Sequence, residues 1–236
     1  MKGLIVAAGQ GTRIRDIAAS KPLALVSGVP LIERVIGQAI QGGLRAFVVV
    51  TGYQGERLES FLKGLSGRLE VPIEIVSNPD FTRANGWSVV AAEPLLGEHF
   101  VLLMADHLFD PALVADLLAA GPKREGVILA VDRRLANPLV DLSDVTRVET
   151  LADGRIRRIG KLIEPYDAFD TGVFLASKAL ISAIRRSAEE HGDGGISGGM
   201  NRLAQRGAAW VFDIGERFWL DVDDAVAHGQ AERVIA

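Results

Sequence analysis

A short segment near the start of the chain combines flexible backbone with a permanent cation. Gly9 and Gly11 follow the apolar residues 4–7, and Arg13 comes two residues after the second glycine. Glycines at such a turn let backbone N–H groups approach an anion closely, and a helix after the loop would offer a weakly positive end. Arg13, and Lys21 further along, would add full positive charges. A GxG pair alone is more typical of a plain tight turn, but with the surrounding residues the segment predicts an anion-binding loop.

Two common phosphate-binding motifs do not fit this segment. A dinucleotide fingerprint needs a third glycine, where this chain has Ile14. It also needs an acidic residue at the end of the second strand, where the chain has Thr51 and Gly52. A Walker A loop needs Gly-Lys followed by Ser or Thr, which is not found here. These differences argue against a hydride-transferring enzyme and against a P-loop NTPase.

The apolar pattern predicts the elements that position this loop. Short apolar runs alternate with amphipathic stretches in a β-α-β-α-β order. The predicted strands are 4–7, 47–50, 73–76, 100–104 and 127–131, and the predicted helices are 31–40, 58–65 and 113–119. Near-continuous apolar strands are typical of a parallel sheet covered on both faces. We therefore predict an α/β fold with a doubly wound, mostly parallel open sheet, whose ligands bind at the carboxyl ends of the strands.

The second half of the sequence predicts an antiparallel addition. Residues 147–161 form two polar-alternating runs around Asp153-Gly154, a signal for a tight hairpin turn. We expect this hairpin to be an excursion from the main sheet, followed by a strand over 171–176 and a helix from about 178 to 190. The glycine-rich residues 192–199 predict a mobile loop. We find no internal repeat or linker, so residues 1–236 are predicted to form one domain.

Composition limits the classes of function. The chain has 236 residues and 48% hydrophobic content, which is enough for the core of one large domain. It has no cysteine, which excludes disulfides, thiolate metal sites and a cysteine nucleophile. A net charge of -4 without a basic block argues against nucleic-acid binding. The apolar run 100–105 is too short for a membrane helix and residues 1–3 lack a signal-peptide pattern, so we expect a cytoplasmic protein.

Several motifs together resemble one family of enzymes. The segment AAGQGTR, with Lys21-Pro22-Leu23 soon after it, resembles the signature of nucleotidyltransferases that activate sugar phosphates and related alcohol phosphates. Further segments follow in the family's order: NGWS (85–88), LLMADH (102–107), RIGK (158–161), DTGVF (170–174) and WLDVDD (219–224). The family usually has proline before the lysine, where this chain has Ser20. Over nearly its full length the chain most resembles the cytidylyltransferase domain that makes CDP-inositol, and next the phosphocholine cytidylyltransferases.

The resemblance implies a transfer of CMP from CTP to inositol 1-phosphate or a similar polyol phosphate. An acceptor phosphate oxygen would attack the α-phosphorus and expel pyrophosphate, a step that needs alignment and cations more than covalent help. Arg13 would hold the β- and γ-phosphates. Lys21 would neutralise the α-phosphate and the incoming phosphate, since two like charges 4 Å apart repel by about 4 kcal/mol at an effective dielectric of about 20. The predicted nucleotide contacts in the loop are Ala8, Gly9, Gly11 and Thr12.

The same resemblance implies Mg²⁺, which needs hard oxygen ligands. Asp106 closes the apolar run 100–105, so its carboxylate should lie at the ligand edge of the sheet. A different role for Asp106, capping the next helix, suits Asp110 better. Asp221 and Asp223 are two residues apart and point to the same side of an extended segment, although Asp223 competes with the following aspartate as cap of the last helix.

The remaining predicted contacts concern the base and the acceptor. Asn85 and Gly86 would read the base through amide groups and main chain, and Ser88 either touches the base or caps a helix. Lys161 is predicted either to meet the acceptor phosphate or to be a solvated surface lysine. From the DTG stretch, Asp170 and Thr171 are predicted acceptor contacts. His107 follows Asp106, should point away from the site, and is assigned no role.

Rival functions stay open on the sequence. A phosphocholine acceptor would want an aromatic cage, and only 6% of the chain is aromatic. The chain could instead use a sugar 1-phosphate with another nucleoside triphosphate, or serve as a non-catalytic nucleotide-binding regulatory subunit. The predicted partners are small-molecule substrates, a membrane lipid synthase that uses the product in phospholipid precursor biosynthesis, and a second copy in a homodimer.

Overall fold

A computed structural model describes residues 1–235 of the chain. In chain order the strands are β1 (Lys2–Ala7), β2 (Leu25–Val26), β3 (Val29–Pro30), β4 (Phe47–Thr51), β5 (Ile73–Ser77), β6 (His99–Met104), β7 (His107–Phe109), β8 (Val127–Asp132), β9 (Arg147–Thr150), β10 (Ile156–Gly160), β11 (Ala168–Ser177), β12 (Ala209–Asp213) and β13 (Trp219–Asp221). The helices are α1 (Leu31–Gln41), α2 (Gly55–Leu69), α3 (Gly86–Ala91), α4 (Pro111–Ala120), α5 (Ala179–His191), α6 (Ile196–Gln205) and α7 (Ala225–Ile235). Short 3-10 turns cover Thr12–Ile14, Lys21–Leu23 and Glu93–Leu95.

The main sheet has nine strands, with the path β10-β9-β11-β6-β1-β4-β5; β8 also pairs with β11, and β12 pairs with β8. β1 pairs in parallel with β4 and β6, which confirms the predicted doubly wound α/β class. β11 runs antiparallel to β6 and β8, so the sheet is mixed. The predicted hairpin forms β9 and β10, and β9 pairs with β11, so the hairpin extends the edge of the main sheet.

The core lies on both faces of the sheet because successive strand residues point to opposite sides. In β1, Ile5 packs in a cluster with α1, α2 and α4, whereas Leu4 packs in a second cluster with α3, α5 and α6. Every residue of β4 and β8 is buried. This continuous burial explains why the strands appear in the sequence as uninterrupted apolar runs. Within residues 1–235, none of the helices combines the length and apolar character needed to span a bilayer.

The glycine-rich segment 192–199 corrects one prediction, because half of it belongs to helix α6. Gly199 lies against α5 so closely that a Cβ added there would lie 2.5 Å from Cγ1 of Ile184. Helical glycine costs about 1 kcal/mol relative to alanine. Here the missing side chains at Gly198 and Gly199 let two helices approach, and buried Met200 and Leu203 cover the junction. The glycines of this half therefore reflect close packing rather than a loop.

The chain after β1 corrects a second expectation. A helix whose amino end would face the ligand is expected directly after the glycine loop, but only the one-turn 3-10 segment Thr12–Ile14 follows. Lys21 opens the next short turn, Lys21–Leu23, and α1 does not begin until Leu31. Any anion held here must therefore depend on loop backbone and side-chain cations.

Candidate active site

Two adjoining cavities lie at the carboxyl edge of the sheet, where the fold class predicts a ligand site. The smaller, about 250 Å³, is lined by the glycine loop, Arg13 and Lys21, and we call it the glycine-loop cavity. The larger, about 540 Å³, is lined by residues from β7, β11, β13 and the loop before β9, and we call it the large cavity. Asp106 and Asp223 line both. The two cavities therefore meet at a pair of carboxylates.

The glycine loop owes its shape to one glycine more than to the other. Gly11 has φ +56°, and a Cβ there would lie 2.5 Å from Cβ of Lys21, so a side chain is excluded on two grounds. A Cβ on Gly9 would meet nothing within 4 Å. Gly9, Gly11 and Thr12 line the glycine-loop cavity. Ala8 is buried instead, and its carbonyl accepts a hydrogen bond from Tyr53 N (3.0 Å), which fixes the loop to the chain after β4.

Lys21 is the buried cation of the site. Its ammonium lies 2.5 Å from Oδ2 of Asp106 and also contacts Asp223. The two carboxylates arrive from distant parts of the chain, one after β6 and one after β13. Burial alone would lower the pKa of Lys21, but Asp106, Asp221 and Asp223 raise it above the ordinary value. Lys21 therefore stays charged and holds the two segments together.

The three predicted metal ligands, Asp106, Asp221 and Asp223, come together at this point. Burial would raise the pKa of Asp106, but Lys21 and His107 outweigh it and lower the pKa. Burial raises the pKa of Asp221, and the nearby Asp106 and Asp223 raise it further. A carboxylate whose ionised form is disfavoured by its neighbours gains most from a further positive charge.

The donor set fits a hard divalent cation. Oxygen or nitrogen atoms of Asp106, His107 and Asp221 lie within 4.8 Å of one another, and so do carboxylate oxygens of Asp144, Asp221 and Asp223. Oδ1 of Asp221 is buried, and among residues 1–235 it has no hydrogen-bond partner. A buried carboxylate oxygen without a donor is costly unless something else pairs with it. An Mg²⁺ ion is a chemically suitable partner, since it prefers oxygen ligands.

His107 corrects the expectation that it points away from the site. Its Nδ1 lies 2.8 Å from Oδ1 of Asp106 and 3.6 Å from Oδ1 of Asp221. Burial would lower the pKa of His107, but Asp221 and Asp106 raise it to about 9. Strand alternation does not apply here because Asp106 lies in the turn between β6 and β7, where the side chains do not follow strand periodicity.

Asp144 is a site residue that the sequence did not indicate. Its Oδ2 accepts from Nη2 of Arg13 at 2.7 Å, and its Oδ1 contacts the ammonium of Lys161. Burial would raise the pKa of Asp144, but the hydrogen bonds from Lys161 and Arg13 lower it. Arg13 also contacts Asp223. Asp144 therefore bridges the cation of the glycine loop and the cation of the β9–β10 hairpin.

Of the predicted acceptor residues, two line the large cavity and one does not. Lys161 and Asp170 line it. Oδ1 of Asp170 accepts from Gly172 N (2.8 Å), and burial raises the pKa of Asp170 to about 6. Thr171 is fully buried and its hydroxyl donates to the carbonyl of Ala130 (2.8 Å). The Thr171 side chain therefore does not line the large cavity, because neighbouring residues of β11 face opposite sides of the sheet. The predicted contact of Thr171 with the acceptor stays a prediction.

Residues of the NGWS segment make contacts within the protein that the sequence did not predict. Asn85 lines the large cavity, and its Oδ1 accepts from Ile196 N at 3.0 Å. Ser88 is buried inside α3 and its hydroxyl accepts from Nδ2 of Asn78 (3.1 Å), so it does not cap the helix. Its predicted contact with the base stays a prediction. Gly86 is buried where a Cβ would clash with the carbonyl of Gly194. Its missing side chain thus permits packing of α3 against the chain before α6.

Two aspartates at the starts of helices behave as the sequence predicts. Asp110 caps α4, its Oδ1 accepting from Ala112 N at 2.9 Å. Asp224 accepts from Ala227 N at 2.8 Å in the first turn of α7, which leaves Asp223 to the cations. The structure thus separates Asp223 and Asp224 by their contacts: the second stabilises a helix and the first faces both cavities.

Comparison with known proteins gives a consistent group of relatives. The model of the MobA-like NTP transferase domain matches residues 3–205. A bifunctional IPC transferase and DIPP synthase from Rubrobacter xylanophilus is 38% identical over 93% of this chain and 48% of that protein. The protein of the same name from Aquifex aeolicus is 29% identical over 93% of this chain and 48% of its own length. The chain thus spans about half the length of these curated relatives.

A solved structure matches over a larger share of both chains. The inositol-1-phosphate CTP transferase from T. maritima has a TM-score of 0.84 and 25% identity, and the match covers 99% of this chain and 95% of that one. The glycine loop, the strand-end carboxylates and the hairpin lysine described above therefore occur in a fold already seen in an enzyme that handles a nucleoside triphosphate and a phosphorylated alcohol.

Proposed function

Because the chain belongs to the MobA-like NTP transferase family, we propose that this nucleotidyltransferase transfers CMP from CTP to inositol 1-phosphate, giving CDP-inositol and pyrophosphate. One observation carries the proposal: two cavities meet at Asp106 and Asp223, with cations on both sides of that junction. A transferase that joins two anionic substrates needs such an arrangement, because each phosphate requires its own positive charge. The likeness to the inositol-1-phosphate CTP transferase supports the choice of substrates.

The residues of the glycine-loop cavity would bind the triphosphate. Arg13 would hold the β- and γ-phosphates together with backbone of Gly9, Gly11 and Thr12. Lys21 would lie between the α-phosphate and the acceptor phosphate, because its ammonium already bridges Asp106 and Asp223 at the junction. Neutralising two phosphates about 4 Å apart removes a repulsion of about 4 kcal/mol at an effective dielectric of about 20. These side chains therefore align the reactants rather than react themselves.

Asp106, Asp221 and Asp223 would hold Mg²⁺, as the unpartnered oxygen of Asp221 supports. A bound Mg²⁺ supplies positive charge to the phosphoryl oxygens of the nucleotide. Since Lys21 contacts two of these carboxylates, it would limit their mutual repulsion both before and after the ion binds. His107 would orient Asp106 through the bond to Oδ1.

The large cavity suits a hydroxylated acceptor. Seven aspartates line it, namely Asp106, Asp141, Asp144, Asp170, Asp221, Asp223 and Asp224. Of these, Asp141 and Asp170 are neither proposed metal ligands nor partners of Arg13 and Lys161, so their carboxylates can accept hydrogen bonds from the hydroxyls of a polyol. The aromatic rings in the lining are those of Phe174 and Trp219, fewer than a cage around a quaternary ammonium would offer. Lys161 would supply a cation for the phosphate of either acceptor. The hydroxyl-accepting carboxylates and the small number of aromatic rings favour inositol 1-phosphate over phosphocholine.

The product would pass to a synthase of the kind that the relatives' names include. Those names pair an IPC transferase with a DIPP synthase, and each protein is about twice as long as the matched region. We propose that CDP-inositol made by this chain feeds such a synthase at a membrane in phospholipid precursor biosynthesis, and that the transfer itself takes place in the cytoplasm. The homodimer predicted from the sequence remains part of the proposal.

The decisive experiment is an acceptor panel. The purified chain with Mg²⁺ receives each of the four nucleoside triphosphates together with inositol 1-phosphate, phosphocholine or glucose 1-phosphate, and pyrophosphate and the nucleotide product are measured. We expect release with CTP and inositol 1-phosphate and a product of the mass of CDP-inositol. Release only with phosphocholine or only with another nucleotide would replace the substrate assignment. Nucleotide binding without any release would favour a regulatory subunit.

A pair of lysine variants sharpens that panel. Lys161→Met removes the cation of the large cavity, so the KM for the acceptor should rise by roughly tenfold or more while the KM for CTP changes little. Lys63→Met is the matched control, because Lys63 is an exposed residue of α2 that lines neither cavity. Equal behaviour of the two variants would contradict the role of Lys161.

A further inference from the structure

A buried carboxylate outside both cavities connects the two segments that build the site. Asp132, the last residue of β8, is 0% exposed. Its Oδ1 accepts from the backbone N (2.8 Å) and Nε (2.8 Å) of Arg134. Its Oδ2 accepts from Nη2 of Arg134 (3.1 Å), Nδ2 of Asn137 (2.8 Å) and Nε1 of Trp219 (2.8 Å). Both oxygens are therefore fully used, and neither is open to a substrate.

The donors come from two separate parts of the chain. Arg134 and Asn137 begin the loop that continues to Asp144. Trp219 opens β13, which ends at Asp221. Arg134 also donates from Nη2 to the carbonyl of Arg217 (2.8 Å), so the same guanidinium holds the chain that enters β13. The carboxylate thus fixes the loop that carries Asp144 to the strand that carries Asp221.

Trp219 transmits this placement to the proposed metal ligands. β13 pairs with β7, which sets Asp221 directly opposite His107. The ring planes of Trp219 and His107 are inclined by 23° with centroids 6.3 Å apart, so the indole limits the position of the imidazole. His107 in turn contacts Asp106 at 2.8 Å. A rotation of Trp219 would therefore shift the imidazole relative to both of its partners, Asp106 and Asp221.

Packing alone does not explain why a carboxylate occupies this buried position at Asp132. An ionised carboxylate costs several kcal/mol to remove from water, and apolar residues of similar volume often serve packing equally well or better. Only a carboxylate can accept all five of these hydrogen bonds, because an amide has one acceptor oxygen instead of two and would lose the bonds that Oδ1 or Oδ2 now accepts. The charge is retained where its hydrogen bonds set the geometry of site-bearing segments.

We infer that Asp132 is a positioning residue, which through Trp219 sets His107 and Asp221 relative to Asp106 and so prepares the carboxylates for a divalent cation. Its catalytic readout rests on the proposed function, but its structural and metal-binding readouts do not. Residues that orient ligands in this way typically alter metal affinity or activity by about 10- to 100-fold when replaced.

The test compares Asp132→Asn and Trp219→Phe with wild type. The first removes one acceptor oxygen, and the second removes only the indole donor while keeping an aromatic ring beside His107. The matched control is Asp167→Asn, because Asp167 also accepts from a neighbouring arginine, Arg133, and from Thr150, but contacts no residue of the cavities' carboxylate group. Trp219→Phe keeps the inference testable if Asp132→Asn does not fold.

Three measurements are made on wild type and on each variant that keeps Trp219, and the last two of them are made on Trp219→Phe. The indole N–H signal of Trp219 is followed by NMR in the metal-free protein, the affinity for Mn²⁺ alone is titrated, and kcat and KM for CTP are measured. We expect Asp132→Asn to displace the Trp219 signal and to weaken Mn²⁺ binding and kcat by about 10- to 100-fold. The KM for CTP should stay within about twofold.

Trp219→Phe should weaken Mn²⁺ binding in the same direction, and the double variant should bind Mn²⁺ no more weakly than Asp132→Asn, since both changes disturb the same cluster of hydrogen bonds. Asp167→Asn should leave the Trp219 signal in place and should keep the Mn²⁺ affinity, kcat and KM within about twofold of wild type. A folded Asp132→Asn protein with wild-type Mn²⁺ affinity, or equal losses in Asp167→Asn, would overturn the inference. A wild-type chain that binds Mn²⁺ but transfers no CMP would reject the proposed function alone.

Discussion

Asp106 follows β6 and Asp132 ends β8, two apolar strands on either side of β11 whose carboxyl ends lie at the same edge of the main sheet, but the surroundings of the two aspartates differ. Asp106 faces both cavities and pairs with Lys21 and His107. Asp132 is enclosed by donors that include the backbone N–H and guanidinium of Arg134. The residues that follow each aspartate decide whether its carboxylate stays open to a cavity or is enclosed by donors. After Asp106 the chain continues directly into β7, whereas after Asp132 it turns back and satisfies the carboxylate itself.

The largest expected effect is a loss of kcat when Asp106 is replaced. Replacing Asp106 with Asn keeps the volume but removes the charge that would bind the divalent cation, so kcat should fall by roughly a thousandfold, equivalent to about 4 kcal/mol. Steady-state pyrophosphate release checks this, with circular dichroism to confirm that the variant is folded. A loss no larger than that of Asp132→Asn would remove the distinction between a ligand-facing carboxylate and a positioning one.

An intermediate effect is expected for the stability of the Asp132 cluster. Burial would raise the pKa of Asp132, but hydrogen bonds from Arg134, Trp219 and Asn137 outweigh it and lower the pKa in the folded protein. The ionised carboxylate therefore stabilises the fold above its unfolded pKa of about 4, and that contribution is lost as the pH falls through the lower folded pKa.

Removing the carboxylate entirely should expose this contribution. Asp132→Ala takes the acceptor from the buried indole of Trp219 and from the partly buried guanidinium of Arg134, so the free energy of unfolding at pH 7 should fall by about 3 kcal/mol. Urea unfolding at several pH values provides the measurement. The difference between wild type and variant should shrink as the pH is lowered below about 4, and a difference independent of pH would contradict the assignment of the shift to Asp132.

The smallest effect belongs to a third aspartate that follows a strand. Asp110 comes directly after β7 and caps α4 through Ala112 N. Asp110→Ala should lower the free energy of unfolding by about 1 kcal/mol and leave kcat unchanged, because the carboxylate serves only the helix end. Thermal unfolding and the pyrophosphate assay together test both statements. Any drop in kcat comparable to that of Asp132→Asn would mean that α4 also positions the site.

The fold was predictable because most elements have a local cause that appears in the sequence. Strands buried on both faces appear as apolar runs, and Asp110 before Pro111 marks the start of α4. The helix over 196–205 could not be predicted because glycine-rich sequence locally favours a loop over a helix. These positions are glycine because α5 packs closely against α6. Such a contact between two helices leaves no periodic pattern in the sequence.

The site was only partly predictable for a similar reason. Five site residues stand in recognisable segments, and the structure brings their side chains together. They are Arg13, Lys21, Asp106, Asp221 and Asp223. Asp144 lies in a loop without a motif, and its contact with Arg13 spans 131 residues. Asp132 carries the same signal as Asp106, an aspartate at the end of an apolar run, but the signal cannot tell an open carboxylate from an enclosed one.

The contacts of Asp223 with Arg13 and Lys21 join positions 210 and 202 residues apart. During translation both cations leave the ribosome long before their carboxylate partner is made. Closing loops of this length costs entropy that only an already assembled sheet can offset. A nascent chain therefore carries these two cations without that partner, and competence for catalysis arises only when synthesis has passed β13.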